Sequence, residues 1–480
     1  MHRAATVEAG REAAGRPALL RPLVVSSIVP LAIGLVLGGA VILIELQGTG
    51  AKPAPVGVAL VAVGVAAGLA PLRTALPVVV VLAAYEGFFN NFVGGPSNLW
   101  EEAFTVTILA RAVLRRSPSR VELGLGAGLA LVFGLYVLTG TDLDAAGLGL
   151  KLLVMFVLVG WAVARLEAGW PEWWALYQGL AVVVASSVVV AAWQRHYGAD
   201  GLMNLGLTDV AVPPGTGGEL RPSGGLLYPG QLGYTLAVAT LCWVALFLGR
   251  KRQHALATLW LPALALAGMT LSLTRTAFVA ATCAVLIVTV RRGSGRKLLI
   301  AALAMAGAFA LVAPATASFL GSGFTGNTAS ASGRLEIWSE RASDLSVFGA
   351  GPGSAGAAVR KLHPELRANP ENWRTETLVR RGVVDNQYLL WLYQYGYLGG
   401  IALCLVWFVG LGALLLSTRP AGPAGIAAQL LAGYALIAAL SSNMWEEFPF
   451  NILLALIIGV ALASGSVPMG RVRPRPAVQS

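Results

Sequence analysis

Charged side chains are scarce in this chain of 480 residues, because only 12% of them are Asp, Glu, Lys or Arg. A soluble domain carries roughly 25% charged residues, so most of the surface of this protein is not built to face water. The hydrophobic share of 56% and the mean hydropathy of +0.71 agree with that conclusion. The composition therefore excludes an ordinary soluble domain and indicates an integral membrane protein.

Cysteine and histidine are also rare, and their positions argue against the sites that they commonly build. The three cysteines, Cys242, Cys283 and Cys404, all lie in apolar runs, and the sequence contains no CxxC pair. The four histidines lack the spacing of metal ligands. We therefore interpret the cysteines as small packing residues, and we expect no metal site and no cofactor.

Long apolar runs, by contrast, recur along the chain from Leu23 to Ser464. Each is close to the roughly 20 residues that cross a bilayer, so we predict an all-α, polytopic bundle of about 12–14 transmembrane helices. The first run is longer than a signal-peptide core and is expected to be a retained span. The fourteen candidate spans are 23–45, 54–72, 75–94, 99–116, 121–139, 148–166, 172–194, 226–248, 256–273, 275–291, 297–316, 386–416, 424–444 and 447–465.

Basic residues are distributed unevenly between the two sides of this predicted bundle. If both termini are cytoplasmic, 21 of the 34 basic residues fall in cytoplasmic segments, as the positive-inside rule requires. Of the other 13, eight lie in one long extracytoplasmic loop, 316–384, whose acidic residues nearly balance them. The net charge of +11 therefore reports topology and contact with membrane lipids. No motif indicates nucleic acid.

The same topology divides the chain into five segments. They are a cytoplasmic N-terminal segment, a first set of transmembrane helices, a core that includes the extracytoplasmic loop, a last set of helices and a cytoplasmic tail. Their expected bounds are 1–22, 23–200, 201–416 with the loop at 316–385, 417–465 and 466–480.

Two arginines at the ends of apolar runs are the first candidates for a functional site. Arg275 lies in Ser-Leu-Thr-Arg-Thr between two runs, and Arg221 lies in Arg-Pro-Ser-Gly-Gly just before another. Charges in such places are costly to bury and often functional, and a planar guanidinium suits paired phosphate oxygens. The alternative is that each arginine only extends its side chain to the membrane interface.

The long loop contains a predicted helix with a distinctive face. Arg334, Trp338 and Arg341 follow one another at i, i+4 and i+7, which places all three on one side of a helix. This face suits a sugar or a lipid headgroup; alternatively, the helix lies on the membrane with Trp338 as its anchor. The glycine-rich stretch 349–356 that follows is a weak candidate for a phosphate-binding turn.

The loop ends in Asp385-Asn386-Gln387-Tyr388, which opens the next span. A carboxylate at this place is able to act as a general base on a hydroxyl group, whereas the simpler interpretation of Asp385 is a helix N-cap. Other acidic residues near outer span ends are back-up candidates, and the loop histidine is expected to be solvated. These residues are Glu446 and Glu447, then Glu86, Glu101 and Glu102, and the histidine is His363.

The order of these motifs resembles that of a known family. They are Arg-x-x-Gly at 221–224, Ser-Leu-Thr-Arg-Thr at 272–276, Gly-Arg-x-x-x-Trp at 333–338, Gly-x-Gly-x-Gly at 349–353, Asp-Asn-x-Tyr-Leu at 385–389 and Gly-Tyr-Leu-Gly at 396–399. In this order and spacing, over roughly 220–405, the chain resembles the O-antigen ligase and polysaccharide polymerase superfamily, the Wzy-like membrane glycosyltransferases. Residues 1–200 are similar to that family only in being a series of spans.

The resemblance implies transfer of a glycan from a polyprenyl pyrophosphate carrier to an acceptor hydroxyl at the outer face of the bacterial cytoplasmic membrane, without metal or cofactor. Asp385 stands where the ligases usually carry a histidine, which fits polymerase-like members at least as well. The resemblance and the arguments from individual residues together give two sets of expected site residues. The catalytic set is Asp385 and Arg275, and the set for pyrophosphate and glycan is Arg221, Arg275, Arg334, Trp338, Asn386 and Tyr388.

Two other functions compete with this hypothesis. A transporter or flippase of lipid-linked glycan also has many spans and internal charges, but it usually shows repeats and broken helices, which the sequence does not reveal. An assembly subunit that uses the long loop for docking would retain its function without Arg275 or Asp385. We expect instead that Arg334 and Asp385 from the loop face Arg221 and Arg275 from the bundle.

Overall fold

The computed structural model of the chain describes residues 16–47, 54–92, 99–139, 143–205, 220–249, 251–272, 274–292, 328–362, 384–417, 422–446 and 448–465. The regular elements in these ranges are helices, and no β-strand occurs among them. The predicted all-α fold is therefore confirmed.

We number the eighteen helices of the described residues in chain order. They are α1 Arg16–Leu46, α2 Ala54–Leu69, α3 Leu72–Ala84, α4 Glu86–Phe92, α5 Trp100–Arg115, α6 Arg120–Thr139, α7 Leu143–Arg165, α8 Trp170–Tyr197, α9 Ala199–Asn204, α10 Pro229–Leu248, α11 Arg252–Ala257, α12 Trp260–Leu271, α13 Arg275–Arg291, α14 Thr328–Ser343, α15 Ala357–Leu362, α16 Gln387–Leu416, α17 Gly422–Ala438 and α18 Phe450–Ala463.

Many of these helices have the composition of membrane spans. Five are long and apolar enough to cross a bilayer, namely Ile28–Leu46 within α1, and α7, α8, α10 and α16. Shorter apolar helices are Pro55–Leu69 within α2, and α3, α12, α17 and α18. Thirteen of the fourteen predicted spans fall largely on described helices. The eleventh, 297–316, lies outside the described residues.

The helices run back and forth between two ends of one bundle. At the end that we call the junction end, α10, α13, α16 and α18 begin, each after a connecting segment. At the other end, which we call the basic end, α5 and α13 finish at the exposed cations Arg115 and Arg291, and α10 finishes shortly before the exposed Lys251. There α7 finishes at Arg165, whose side chain is 7% exposed. Contacts between ends of helices support this division: Arg115 at the end of α5 pairs with Glu167 after α7 at 2.7 Å.

Burial separates central helices from lipid-facing ones. Most side chains of α10, α17 and α18 are buried, and these helices are apolar on every side because they lie inside the bundle. In contrast, α6 exposes leucine and valine side chains along its length. A membrane accounts for this exposure, because large apolar patches of this kind are rare on surfaces that face water.

The span α16 is interrupted at Gly396. This residue has φ 66° and ψ −172°, a left-handed conformation that favours glycine. Gly396 lies nine positions after Gln387, the first residue of the helix, which corresponds to about 14 Å along a helix axis. The interruption leaves backbone groups without their helical partners, and such groups must find other partners in a membrane.

The glycine-rich stretch of the loop supplies those partners. The amides of Ala350 and Gly351 donate to the carbonyl oxygens of Tyr393 and Gln394, each at 2.9 Å. In return, two amides of α16 donate to loop carbonyls: Tyr397 to Ser346 at 3.0 Å and Leu398 to Val347 at 3.2 Å. The amides of Ala350 and Gly351 are thus bound to protein carbonyls, so this part of the stretch closes a helix break. The suggested phosphate-binding turn stays a prediction for the remaining amides.

Candidate functional site

Arg221 and Arg275, which lie far apart in the sequence, belong to two segments that touch at the junction end. Arg221 Nε donates to the carbonyl oxygen of Ser272 at 2.9 Å, and its Nη2 donates to Thr274 Oγ1 at 3.4 Å. Ser272 and Thr274 belong to the turn between α12 and α13, and Arg275 is the exposed first residue of α13. The fold therefore brings the two arginine motifs together.

Hydroxyl groups hold this turn in place. Ser272 Oγ donates to the carbonyl oxygen of Met269 at 2.8 Å, and Thr274 Oγ1 donates to that of Pro229 at 3.1 Å, which ties the turn to the start of α10. Gly233 allows the close approach, because a Cβ there would lie 2.5 Å from Thr274 Cβ. The hydroxyl side chains of Ser272 and Thr274 in the Ser-Leu-Thr-Arg-Thr motif thus fix the position of Arg275.

The buried side chains of Gln194 and Glu45 support the segment around Arg221 through hydrogen bonds. The backbone amides of Ser223 and Gly224 donate to Gln194 Oε1 at 3.0 and 2.9 Å. Gln194 Nε2 in turn donates to both oxygens of Glu45 at 3.3 Å. Glu45 is 1% exposed and Gln194 is 3% exposed. Neither residue was predicted for the site; a carboxylate at the end of the first span was the signal available in the sequence.

Asp385 lies one residue before the cap of α16 and does not itself form the cap. Asn386 is the N-cap, since its Oδ1 accepts from the amides of Tyr388 at 3.0 Å and Leu389 at 3.1 Å. The simpler interpretation of Asp385 as an N-cap is therefore wrong. The half-buried Asp385 carboxylate remains a candidate base, held at a fixed place by the capped helix that follows it.

The segment between α17 and α18 connects Asp385 to the arginines. Asn386 Nδ2 donates to the carbonyl oxygen of Leu440 at 3.2 Å, and the next residue, Ser441, donates through Oγ to Thr276 Oγ1 at 3.2 Å. Thr276 directly follows Arg275. Short hydrogen-bonded steps thus link the start of α16 to the start of α13, and these motifs lie at one end of the bundle as expected.

The two remaining polar candidates at the start of α16 contact protein groups. Tyr388 OH donates to the carbonyl oxygen of Leu436 at 2.8 Å, and its ring stacks on Phe408 with centroids 4.9 Å apart. The cap formed by Asn386 uses its side-chain oxygen. These contacts give both side chains a structural role, while their expected contact with substrate stays a prediction.

Glu446, a back-up candidate, is buried where the loop meets the bundle. Its Oε2 accepts from the amide of Ala357 at 2.8 Å, and its Oε1 accepts from Gln394 Nε2 at 3.3 Å. Gln394 also donates to the carbonyl oxygen of Ala355 at 2.8 Å. Glu446 therefore joins the glycine-rich stretch, the broken span and the last junction. The other back-up, Glu447, and the loop residue His363 lie outside the described residues.

The predicted loop helix exists as α14, but Arg341 is the residue of that face whose contacts are clearest. Arg341 is buried and lies over the ring of Tyr393 in α16, 5.2 Å from its centroid, and it pairs with Asp344 at 3.3 Å. Trp338 is half-buried. The side chain of Arg334 lies outside the described residues, so its expected position opposite Arg221 and Arg275 stays a prediction.

A lysine within an apolar helix and two glutamates in the first turn of α5 form a second cluster. Lys151 of α7 pairs with the buried Glu101 of α5 at 3.6 Å and also with Glu102. Trp445 Nε1 donates to the carbonyl oxygen of Leu153 on the same helix at 3.0 Å, which places this cluster beside the last junction. Lys151 was not predicted, although a lysine within an apolar run is a visible signal.

No group of three or more possible metal ligands occurs among the described residues. The expectation that the protein needs no metal and no cofactor remains a prediction. The side chains gathered at the junction end are guanidinium groups, carboxylates, amides and hydroxyls. Such groups are suited to binding an anion and to transferring a proton.

The described helices and their exposed apolar faces decide the coarse identity of the chain. It is an all-helical, multi-pass membrane protein. No family model, curated protein or solved structure matches this membrane protein. The resemblance to the O-antigen ligase superfamily therefore stays a prediction from the order of motifs in the sequence.

Proposed function

We propose that this membrane protein is a glycosyltransferase that moves a glycan from a polyprenyl pyrophosphate carrier to an acceptor hydroxyl group at the junction end of the bundle. That end is the extracytoplasmic face in the topology expected from the charges. One observation carries the proposal: hydrogen-bonded segments join Arg221, Arg275 and Asp385 at one end of a membrane bundle. These residues supply cations for an anionic leaving group and a base for a hydroxyl.

In this proposal the arginines act on the leaving group. Transfer breaks the bond between the anomeric carbon and the phosphate oxygen, so negative charge grows on the departing pyrophosphate. Guanidinium groups that are already in place stabilise that charge without reorganisation. A guanidinium carries five N–H donors, and the bonds of Arg221 to Ser272 and Thr274 use two of them while fixing its orientation.

Asp385 acts on the acceptor. The acceptor oxygen forms the new bond to the anomeric carbon, and the proton of its hydroxyl group passes to the Asp385 carboxylate. A positioned general base of this kind contributes roughly 10²–10⁴-fold to a rate. The acceptor is either a growing glycan, as in a polymerase, or another glycolipid, as in a ligase.

Transfer by the purified full-length protein tests the proposal. A polyprenyl-pyrophosphate-linked oligosaccharide is supplied in detergent or liposomes, and products are resolved by size. A ladder of products indicates a polymerase, and a single addition to an acceptor indicates a ligase. Release of polyprenyl pyrophosphate is measured in parallel. Absence of transfer with every such donor, while the protein moves the donor across a bilayer, would refute the enzyme hypothesis.

The second candidate is a transporter or flippase of lipid-linked glycan. The interruption of α16 at Gly396 favours it, because broken spans are common in transporters. The interruption was not predicted from the sequence. In this protein, however, loop carbonyls and amides pair with the backbone groups around the break. We therefore retain the glycosyltransferase as the main proposal.

A further inference from the structure

The basic end contains a patch that the proposed reaction does not use. Lys251 and Arg252 follow α10 and are both exposed. Lys251 Nζ lies 4.7 Å from the centroid of the Trp170 ring, and the guanidinium carbon of Arg252 lies 5.8 Å from that of Phe247. Among the described residues, no carboxylate forms an ion pair with either cation. The patch therefore presents two positive charges beside aromatic rings.

Two nearby carboxylates have partners of their own, and a nearby histidine packs between aromatic rings. Glu172, in the first turn of α8, accepts from the amide of Gly169 at 2.7 Å, and Glu167 is paired with Arg115 at 2.7 Å. His254 packs between Trp170 and Trp174, with ring centroids at 5.1 and 5.0 Å. Burial, and then the charge of Lys251, lower the pKa of His254, so this imidazole is neutral at pH 7.

The apolar surroundings of the patch point to a lipid. Leu256 lies one helical turn after Arg252 on the same face of α11 and is 65% exposed. Leu259 follows, 53% exposed, just before α12 returns into the bundle. Exposed cations next to exposed leucines match the two parts of a phospholipid, a charged headgroup and acyl chains.

We propose that Lys251, Arg252 and Trp170 form a binding site for the phosphate group of an anionic phospholipid, with Leu256 and Leu259 against its chains. The occupant is a bilayer lipid, because a free phosphate would gain nothing from the exposed leucines. This site is separate from the junction end by the length of α10, whose 20 residues span about 30 Å. It does not depend on the proposed glycosyltransferase activity.

Native mass spectrometry of the full-length protein in detergent tests this site. Dioleoyl phosphatidylglycerol and, separately, dioleoyl phosphatidylcholine are titrated, and bound lipid is counted for the wild type and for the Lys251→Gln/Arg252→Gln variant. Each surface cation contributes to attraction for anionic lipid, so the double variant is expected to lose about thirtyfold in apparent affinity for phosphatidylglycerol. Binding of the zwitterionic lipid is expected to be the same for both proteins.

Arg115→Gln is the matched control. Arg115 lies at the same end and carries the same charge, but it is paired with Glu167. Its removal is expected to leave lipid binding unchanged. Leu256→Ser changes one exposed side chain and keeps both cations, and it is expected to weaken phosphatidylglycerol binding. This variant also tests the site if the double variant cannot be purified.

Three results would overturn the proposed lipid site. The first is that the double variant binds phosphatidylglycerol with the same affinity as the wild type. The second is an equal loss in Arg115→Gln, which would indicate only a general effect of net charge. The third is that inorganic phosphate stabilises the protein as much as phosphatidylglycerol does at the same concentration, and that this stabilisation persists in Leu256→Ser. That result would indicate a site for free anions.

Discussion

The two ends of the bundle carry the same kind of side chain in opposite structural settings. At the junction end, Arg221 is fixed by two hydrogen bonds within a chain of buried polar contacts that begins at Glu45. At the basic end, Lys251 and Arg252 are exposed beside aromatic rings, and Arg115 forms an exposed ion pair. The count of basic residues along the sequence indicates which end is cytoplasmic, whereas the contacts that hold each cation are visible only in the structure.

This difference has an energetic basis. Exposed ion pairs contribute little, typically about 0.2–1 kcal/mol, because water and salt screen them. Buried polar groups are different, since each group left without a partner costs about 1–3 kcal/mol. We therefore expect substitutions at the junction end to have large effects and similar substitutions at the basic end to have small ones.

The largest effect is expected for the proposed catalytic groups. Arg275→Ala removes a cation aimed at the developing charge, and Asp385→Ala removes the base. Each is expected to reduce the transfer rate by about 10²–10³-fold, the usual cost of losing one preorganised group. The rate is measured with saturating lipid-linked donor, and thermal unfolding in detergent verifies that each variant is folded.

Arg115→Ala at the basic end is the control for these two variants and is expected to transfer at the wild-type rate. If Arg275→Ala and Asp385→Ala both retain full transfer activity, the assignment of the site is wrong. If the wild-type protein shows no transfer but has a different membrane function, and both variants retain that function, the assembly or transport hypothesis gains support.

The next effect concerns the helix break. Gly396→Ala introduces a Cβ that would collide with the carbonyl oxygen of Val347, at a φ that disfavours alanine. Strain and overpacking together are expected to cost about 2–5 kcal/mol of stability. Gly410→Ala in the same helix is the matched control, since no other atom lies within 4 Å of its added Cβ.

Gly410→Ala is expected to be neutral or to stabilise the protein by up to about 1 kcal/mol, because alanine is the better helix former. The measurement is thermal unfolding of both variants in the same detergent. Equal midpoints for Gly396→Ala and Gly410→Ala would contradict the break and its pairing with the loop.

A somewhat smaller effect is expected for the buried support of Arg221. Gln194→Leu leaves the Glu45 carboxylate and the amides of Ser223 and Gly224 without this partner, which is expected to cost about 1–3 kcal/mol. Glu45→Gln keeps an acceptor for the Gln194 amide and is expected to be milder. Unfolding midpoints rank the two variants, and a reversed ranking would show that this chain of contacts is not a support.

The smallest effect is expected at the basic end. Arg115→Gln breaks the exposed pair with Glu167, in which the two side chains are 44% and 87% exposed. Its stability cost is expected to be at most about 1 kcal/mol and to shrink further in high salt. Unfolding at low and high ionic strength measures both. A loss comparable to that of Gln194→Leu would remove the contrast between the two ends.

Much of the fold was predictable, because a bilayer demands long apolar helices and the sequence shows them directly. The boundary between α12 and α13 was also predictable, since Ser272, Thr274 and Arg275 interrupt an apolar run. The break at Gly396 was not. Glycines in an apolar run are compatible with a continuous helix, as Gly399 and Gly400 are here. Only the approach of the loop at Ala350 and Gly351 gives the backbone groups at the break partners in a membrane.

The candidate site divides in the same way. Arg221, Arg275 and Asp385 were visible as charged residues at the ends of apolar runs. Gln194 was not distinguishable from other polar residues, because its importance comes from Gly224, which is distant in sequence. Arg341 was visible on the face of a predicted helix, but its contact with the ring of Tyr393 was not. Asp385 was open to two interpretations until Asn386 proved to be the cap.

The sequence by itself therefore determined the membrane class, most helices and the polar positions between them, since these follow from local hydropathy and charge. Only the tertiary structure decided which of these positions meet. Contacts such as Ser441 with Thr276, or Gln194 with Glu45, join residues that are far apart along the chain. They form because buried polar groups in a membrane bundle require partners, and the packing of the helices selects which partners are within reach.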